Sequence, residues 1–271
     1  MSALALLVCA CEGGEGEGAS EAAEEAESEE SEVGEEGTDG FEPGGCMDAC
    51  GTPNCGECPM PAQVEDQGIR IDAYEVDNGQ YAAMLAVDFD LSVLPAGCEW
   101  KQGFVPMGWT EELDPALPVV GVDWCDAMVF CTWAGKQLCG SITSGGEASW
   151  DDALSPDDAW YMACSAGARR PTPTPSNSIQ VRAMGTGRES TSSWRAGPSR
   201  PAKGGMTGLF DMSGNVWEWT YACAEAGGDG ETMCRRRGGS YFSGEDSLRC
   251  AVDSERPRAE RSDSVGFRCC G

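Results

Sequence analysis

Apolar and polar residues alternate from Ile69 to Val76 (Ile69-Arg70-Ile71-Asp72-Ala73-Tyr74-Glu75-Val76), the period-two pattern of a strand with one buried face. The period then changes. Asp77 or Asn78 can cap a helix on which Tyr81, Met84, Leu85 and Phe89 share one face. A second helix is predicted after Asp123, with Trp124, Ala127, Met128 and Cys131 at i, i+3, i+4 and i+7. A third opens with Ser155 as cap, Pro156 in the first turn, and Asp157 and Asp158 facing the positive end of the helix dipole; Trp160, Ala163 and Cys164 then face the core. Between these elements, short apolar runs are separated by Gly, Pro, Ser and Asp, so loops should outnumber regular structure.

The charge is unevenly spread. Half of the formal net charge of −28 over 271 residues comes from the 14 acidic residues between Glu12 and Glu42, a stretch with no basic residue. A block of Glu, Gly, Ala and Ser buries too little apolar surface to offset chain entropy, so residues 12–45 read as a disordered, self-repelling tether. An acidic tail that recruits a basic partner is the functional alternative. Ahead of it, Met1 to Cys11 is a short apolar run ending in a small residue and a cysteine. It resembles a bacterial lipoprotein signal, with Cys11 as the lipidated residue and the tether giving reach to a surface-anchored domain. The run is too short to span a bilayer.

Sixteen cysteines and no histidine describe a chain for an oxidising compartment and a poor zinc protein. Cys46, Cys50, Cys55 and Cys58 crowd a Gly/Pro stretch over residues 46–60 that has no room for its own core. Four thiolates could hold zinc there; an exported protein favours two disulfides pinning a small cap. Residues 61–271 then make one domain of about 210 residues, enough for a full core. Cys223 and Cys234 flank a Gly-rich loop and could close a local bridge.

Three runs fix the family resemblance: Gly208-Leu209-Phe210-Asp211-Met212-Ser213-Gly214-Asn215-Val216-Trp217-Glu218-Trp219-Thr220, then Arg237-Gly238-Gly239-Ser240-Tyr241, then Val265-Gly266-Phe267-Arg268-Cys269. With Tyr74 to Tyr81 and Trp133 to Leu138, they resemble the formylglycine-generating enzyme (sulfatase-modifying factor) family. The resemblance implies a loop-rich α+β fold related to C-type lectins and stapled by disulfides. It implies that Cys131 pairs with Cys269 and Cys164 with Cys250, leaving Cys98, Cys125, Cys139 and Cys270 unassigned.

Catalytic members of that family hold copper between two thiolates beside the Arg-Gly-Gly-Ser run, because soft sulfur selects Cu(I). Here the first position is Ser243. The second falls on Leu248 counted without gaps, or on Glu245 counted from Cys250, so no copper is expected. A branch of the same fold that uses histidine-bound iron, the ergothioneine-type sulfoxide synthases, is removed by the lack of histidine. The family also implies Ca2+ at Asp211, Gly214, Val216 and Glu218, the first and last through carboxylates and the middle two through carbonyls. The alternative is that Glu218 pairs with an arginine and the loop is held by packing.

From Arg169 to Lys203 the composition departs from the rest: seven of the eighteen basic residues fall there, with one Glu and no Asp. One choice of codons for Pro171 to Thr174 and Pro201 to Gly204 reads, two nucleotides on, as the Tyr-Pro-Tyr and Cys-Glu-Gly landmarks the family carries here. A pair of compensating frameshifts and a divergent loop are the two readings, and the former would leave Cys139 without a partner. The function expected is an exported, outer-membrane or cell-surface lipoprotein whose domain binds a protein, peptide or glycan and touches the membrane through its lipid alone. The alternative is an oxidoreductase of the formylglycine-generating type with an altered centre, built from Trp217, Ser240 and Tyr241 around a peptide. Nucleic acid is excluded by charge, since the one basic cluster, Arg235-Arg236-Arg237, is small beside the acidic excess.

Overall fold

The computed structural model describes residues 45–46, 48–167, 205–224 and 230–271. The expected signal with Cys11, the tether up to residue 44 and the atypical 169–203 segment lie outside the described residues.

Strand β2 (Ile69–Asp72) follows β1 (Gln63–Asp66) through a tight turn at Gln67 and Gly68, both at positive φ. The expected strand ends at Asp72, four residues early, because the chain turns away to let Val76 donate its amide to the Phe267 carbonyl and accept from Val119. β1 was not foreseen: Gln63-Val64-Glu65-Asp66 is an exposed edge with little apolar signal. The first sheet has the order β1-β2-β8-β3, with β3 at Gln137–Leu138 and β8 at Cys269–Cys270. The second has the order β6-β5-β4-β7, made of β4 (Trp217–Cys223), β5 (Met233–Arg237), β6 (Ser254–Pro257) and β7 (Val265–Phe267). β4 and β7 run parallel and the other pairs of this sheet antiparallel.

Helix α1 (Asn78–Leu85) is capped by Asp77, whose carboxylate accepts from Gln80 N, and buries Tyr81 and Met84 as expected. Phe89 lies beyond its end and packs edge-on against Phe104. Helix α2 (Trp124–Trp133) has a full capping box between Asp123 and Asp126. Nine of its ten residues are buried, so it is a central helix covered on all sides and not the one-sided helix its spacing suggested. Helix α3 (Ala159–Ser165) starts later than expected: the cap is Asp158, which accepts from Tyr161 N, while Ser155 closes a preceding turn by accepting from Asp158 N.

The two disulfides implied by the family form, Cys131–Cys269 and Cys164–Cys250, with Cα separations of 5.5 and 5.6 Å. Cys223–Cys234 bridges opposed residues of β4 and β5. Cys98–Cys125 and Cys139–Cys270 complete the interior, so Cys139 is paired and supplies no argument for a frameshift. The cap is held by Cys46–Cys55 and Cys50–Cys58 rather than by zinc. It is welded to α2, since Cys50 N donates to the Trp133 carbonyl and Trp133 Nε1 to the Cys55 carbonyl. Among the described residues no helix is long and apolar enough to cross a membrane.

Candidate functional site

The Leu-Phe-Asp-Met loop and the Arg-Gly-Gly-Ser turn are laced together by backbone bonds: Gly214 N donates to the Gly238 carbonyl and Tyr241 N to the Asn215 carbonyl. Glycine is required at 238 and 239. Both have positive φ, a Cβ on Gly238 would lie 3.1 Å from the Met212 oxygen, and one on Gly239 would lie 2.7 Å from the Ser247 oxygen. Asp211 and Asn215 also take positive φ, a conformation their short polar side chains tolerate.

Glu218, on β4, is wholly buried, and both of its oxygens are engaged. Arg268 donates from Nε to Oε2 at 2.7 Å and from Nη2 to Oε1 at 2.8 Å, and Trp160 Nε1 donates to Oε2 at 2.8 Å. The guanidinium also binds the Asp72 and Phe210 carbonyls, which ties β4, the end of β2 and the motif loop to one cation. Glu75 lies beside them, 3.7 Å from Arg268, with Oε1 accepting from Asn215 Nδ2 and Oε2 lacking a hydrogen-bond donor. Burial pushes the Glu75 carboxyl well above its ordinary range, against the pull of Arg268, and the charges of Glu218 and Asp211 push it further.

The calcium expectation can be set against this arrangement. Of the set Asp211, Gly214, Val216 and Glu218, the last was to supply the anchoring carboxylate. Its charge is already matched by Arg268 in the bidentate geometry that satisfies a carboxylate best. Asp211 is left partly exposed, where water can solvate it. As placed, the four residues fit a divalent cation poorly, and Glu218 has the arginine partner of the alternative reading.

The positions of the family's copper thiolates fit that metal no better. Ser243 Oγ accepts from Ser240 N at 2.9 Å and lies 3.2 Å from Ser240 Oγ, closing the turn. Leu248 ends the 3-10 turn Glu245–Leu248, its side chain beside Gly239 and its carbonyl accepting from the Ser213 hydroxyl. Glu245 is exposed. The nearby sulfur, Cys250, is bonded to Cys164.

Nor do Trp217, Ser240 and Tyr241 form one cleft. Ser240 is buried in its turn, and Trp217 is buried with its ring 4.6 Å from the Arg236 guanidinium. Tyr241 alone of the three lines a cavity of about 310 Å³. One wall of that cavity is Asn215 and Val216 of the motif loop; the other is a long excursion between Leu94 and Gly121 that brings Met107, Trp109 and Leu113 into the lining.

Sequence reasoning missed what holds that excursion. Lys101, only 5% exposed, donates to Asp123 Oδ2 at 2.7 Å and to Asp126 Oδ1. Arg261 reaches the same two carboxylates at 2.9 and 2.7 Å and donates to the Val105 carbonyl. Tyr81 Oη donates to the Phe104 carbonyl, and the Cys98–Cys125 bridge anchors the near end. Burial, with the Asp123 charge next, pushes the Asp126 carboxyl up to about 7 against the pull of Lys101 and Arg261. The Asp123-x-x-Asp126 pair reads as a capping box, but a lone lysine in a polar loop gives no sign of where it will be buried. The arginine cluster is structural too: Arg235 pairs with Asp253 and Arg237 with Asp158, each guanidinium beside a tryptophan.

The geometry can be set beside known proteins. The chain is 29% identical over 199 residues to the formylglycine-generating enzyme of Streptomyces coelicolor, covering 64% of this chain and 58% of that one. It is 27% identical over 192 residues to mouse inactive C-alpha-formylglycine-generating enzyme 2, covering 63% and 54%. It is 30% identical over 166 residues to the serine/threonine-protein kinase Pkn1 of Chlamydia trachomatis, covering 56% and 24%. The chain thus spans about half the length, or less, of the curated relatives it matches. Among solved structures, CarF aligns with a TM-score of 0.44 at 21% identity over 74% of this chain and 85% of its own. The sulfatase-modifying factor enzyme 1-like domain matches residues 27–271, nearly the whole chain, and the protein belongs to that family.

Proposed function

We propose that this is a ligand-binding module on the sulfatase-modifying-factor scaffold, one that does not carry out copper-dependent oxidation of a cysteine. The observation that supports the reading is the donor set at the Arg-Gly-Gly-Ser turn. Ser243 and Leu248 stand where the family's thiolates would, and Cys250 is in a disulfide. A hydroxyl that closes its own turn and a leucine give Cu(I) none of the soft sulfur it selects. One scaffold hosts catalytic and non-catalytic members, and a relative named inactive is among those this chain resembles.

Seven disulfides suit an oxidising compartment. Export with a lipid on Cys11 is part of the proposal, the partner being a protein, peptide or glycan and the membrane being touched through the anchor alone. The test is a Cu(I) competition titration combined with mass spectrometry of a Cys-containing peptide after incubation. No tight copper binding and an unmodified cysteine are expected. Formation of formylglycine would establish the alternative, an oxidoreductase with an altered centre.

A further inference from the structure

The cavity between the motif loop and the 94–121 excursion has a one-sided chemistry. Its walls are mostly apolar or aromatic, with Asn78 and Asn215 among them, and its charged group is Asp263, an exposed residue, with no basic residue lining it. Met107 and Leu113 at the mouth are 51% and 38% exposed, an apolar rim facing water. The two asparagines in the lining use their donor ends inside the protein: Asn78 Nδ2 donates to the Asp114 carbonyl and Asn215 Nδ2 to Glu75 Oε1. Each amide oxygen is an acceptor, the end a cation would meet. Arg261, two residues from Asp263, is committed to Asp123 and Asp126 and so does not neutralise it. Burial raises the Tyr241 phenol and the Asp263 charge raises it further, which places the two groups within electrostatic reach of each other.

We propose that this cavity binds a small organic cation, an alkyl- or aralkylammonium whose apolar body fills the Met107, Leu113 and Val216 walls and whose charge is received by Asp263, the asparagine carbonyls and the Trp109 and Tyr241 rings. Carboxylate, carbonyls and aromatic faces all favour positive charge, while the apolar walls reject a hydrated inorganic ion. A volume of about 310 Å³ is at the small end for ligand sites, which suits a single amine rather than a folded partner.

The inference rests on the binding-module reading and deepens it. The probe is 2-phenylethylammonium, titrated into the full chain and read by calorimetry and tryptophan fluorescence, beside neutral 2-phenylethanol, 3-phenylpropanoate and a lysine-containing peptide. Saturable one-to-one binding is expected, weaker by about tenfold for the alcohol and for Asp263→Asn, the worth of one charge contact in a partly open site. Leu113→Arg, which places a cation at the mouth, should abolish it while leaving the thermal midpoint of the protein unchanged. Equal affinity for the alcohol, indifference to both substitutions, preference for the anion, or binding of the peptide alone would each overturn the proposal. Failure here leaves the copper test untouched, since that experiment reads a different site.

Discussion

Arg268, just past the end of β7, and Glu218 of β4 form a two-pronged ion pair, Nε to Oε2 at 2.7 Å and Nη2 to Oε1 at 2.8 Å, with neither side chain exposed. The pair sits where the Gly-Phe-Arg and Val-Trp-Glu runs converge through the parallel register Glu218↔Gly266. Two motifs nearly fifty residues apart are thereby explained by one contact.

Removing one partner leaves the other charged and buried. Arg268→Met should destabilise the domain by about 3–5 kcal/mol in chemical denaturation, because Glu218 then loses its matching charge while keeping only the Trp160 donor. A loss below about 1 kcal/mol would mean that water reaches Glu218 and that the pair contributes little.

The same pairing predicts indifference to calcium. The thermal midpoint of the wild type should be the same in millimolar Ca2+ and in EDTA, because Arg268 already occupies the carboxylate a cation would need. A rise on adding Ca2+ that Glu218→Gln removes would restore the cation site at Asp211, Gly214, Val216 and Glu218. A ligand at about a hundred times its dissociation constant would add about 2.7 kcal/mol.

Glu75 gives the protein a pH dependence of defined sign. Its folded value is raised above that of the unfolded chain, so its favourable contribution is complete below the unfolded value and is lost as pH rises through the raised one. Glu75→Gln keeps the acceptor for Asn215 and removes the titration. Urea unfolding between about pH 5 and pH 9 should therefore show a steeper decline for the wild type than for the variant, by at most about 1.4 kcal/mol per pH unit for one proton. Parallel curves would mean that Glu75 is ionised in the folded protein. Asp126, raised to about 7, acts in the same direction in both proteins and cancels in the comparison.

Lys101 should matter beyond its one charge. Lys101→Met leaves Asp123 and Asp126 with Arg261 as their remaining cation. The expected cost is on the order of 3 kcal/mol. Amide exchange should speed up in residues 99–121 while α2 below its first turn stays protected, since the network pins the excursion to the start of that helix. Uniform acceleration over the domain would make Lys101 a global element rather than the anchor of the cavity wall.

What was legible in the sequence is what local physics decides. Asp77 and Asp123 cap the helices they precede because a short carboxylate ahead of an apolar stretch satisfies free amides within one turn. The run of alternating residues at Ile69 makes a strand, and the crowded cap cysteines pair with one another. The family motifs added Cys131–Cys269 and Cys164–Cys250, pairings that spacing alone leaves open. Tertiary structure decided the rest, because it depends on groups brought together from far apart. The α3 cap moved to Asp158, where the carboxylate also meets Arg237, 79 residues away. Lys101 went from a loop residue to a buried cation because the cap of α2, Asp123, and its first-turn Asp126 both accept from it. Glu218 became the partner of Arg268, a pairing made only when β7 lies parallel to β4 and delivers a guanidinium where no water can compete for either charge.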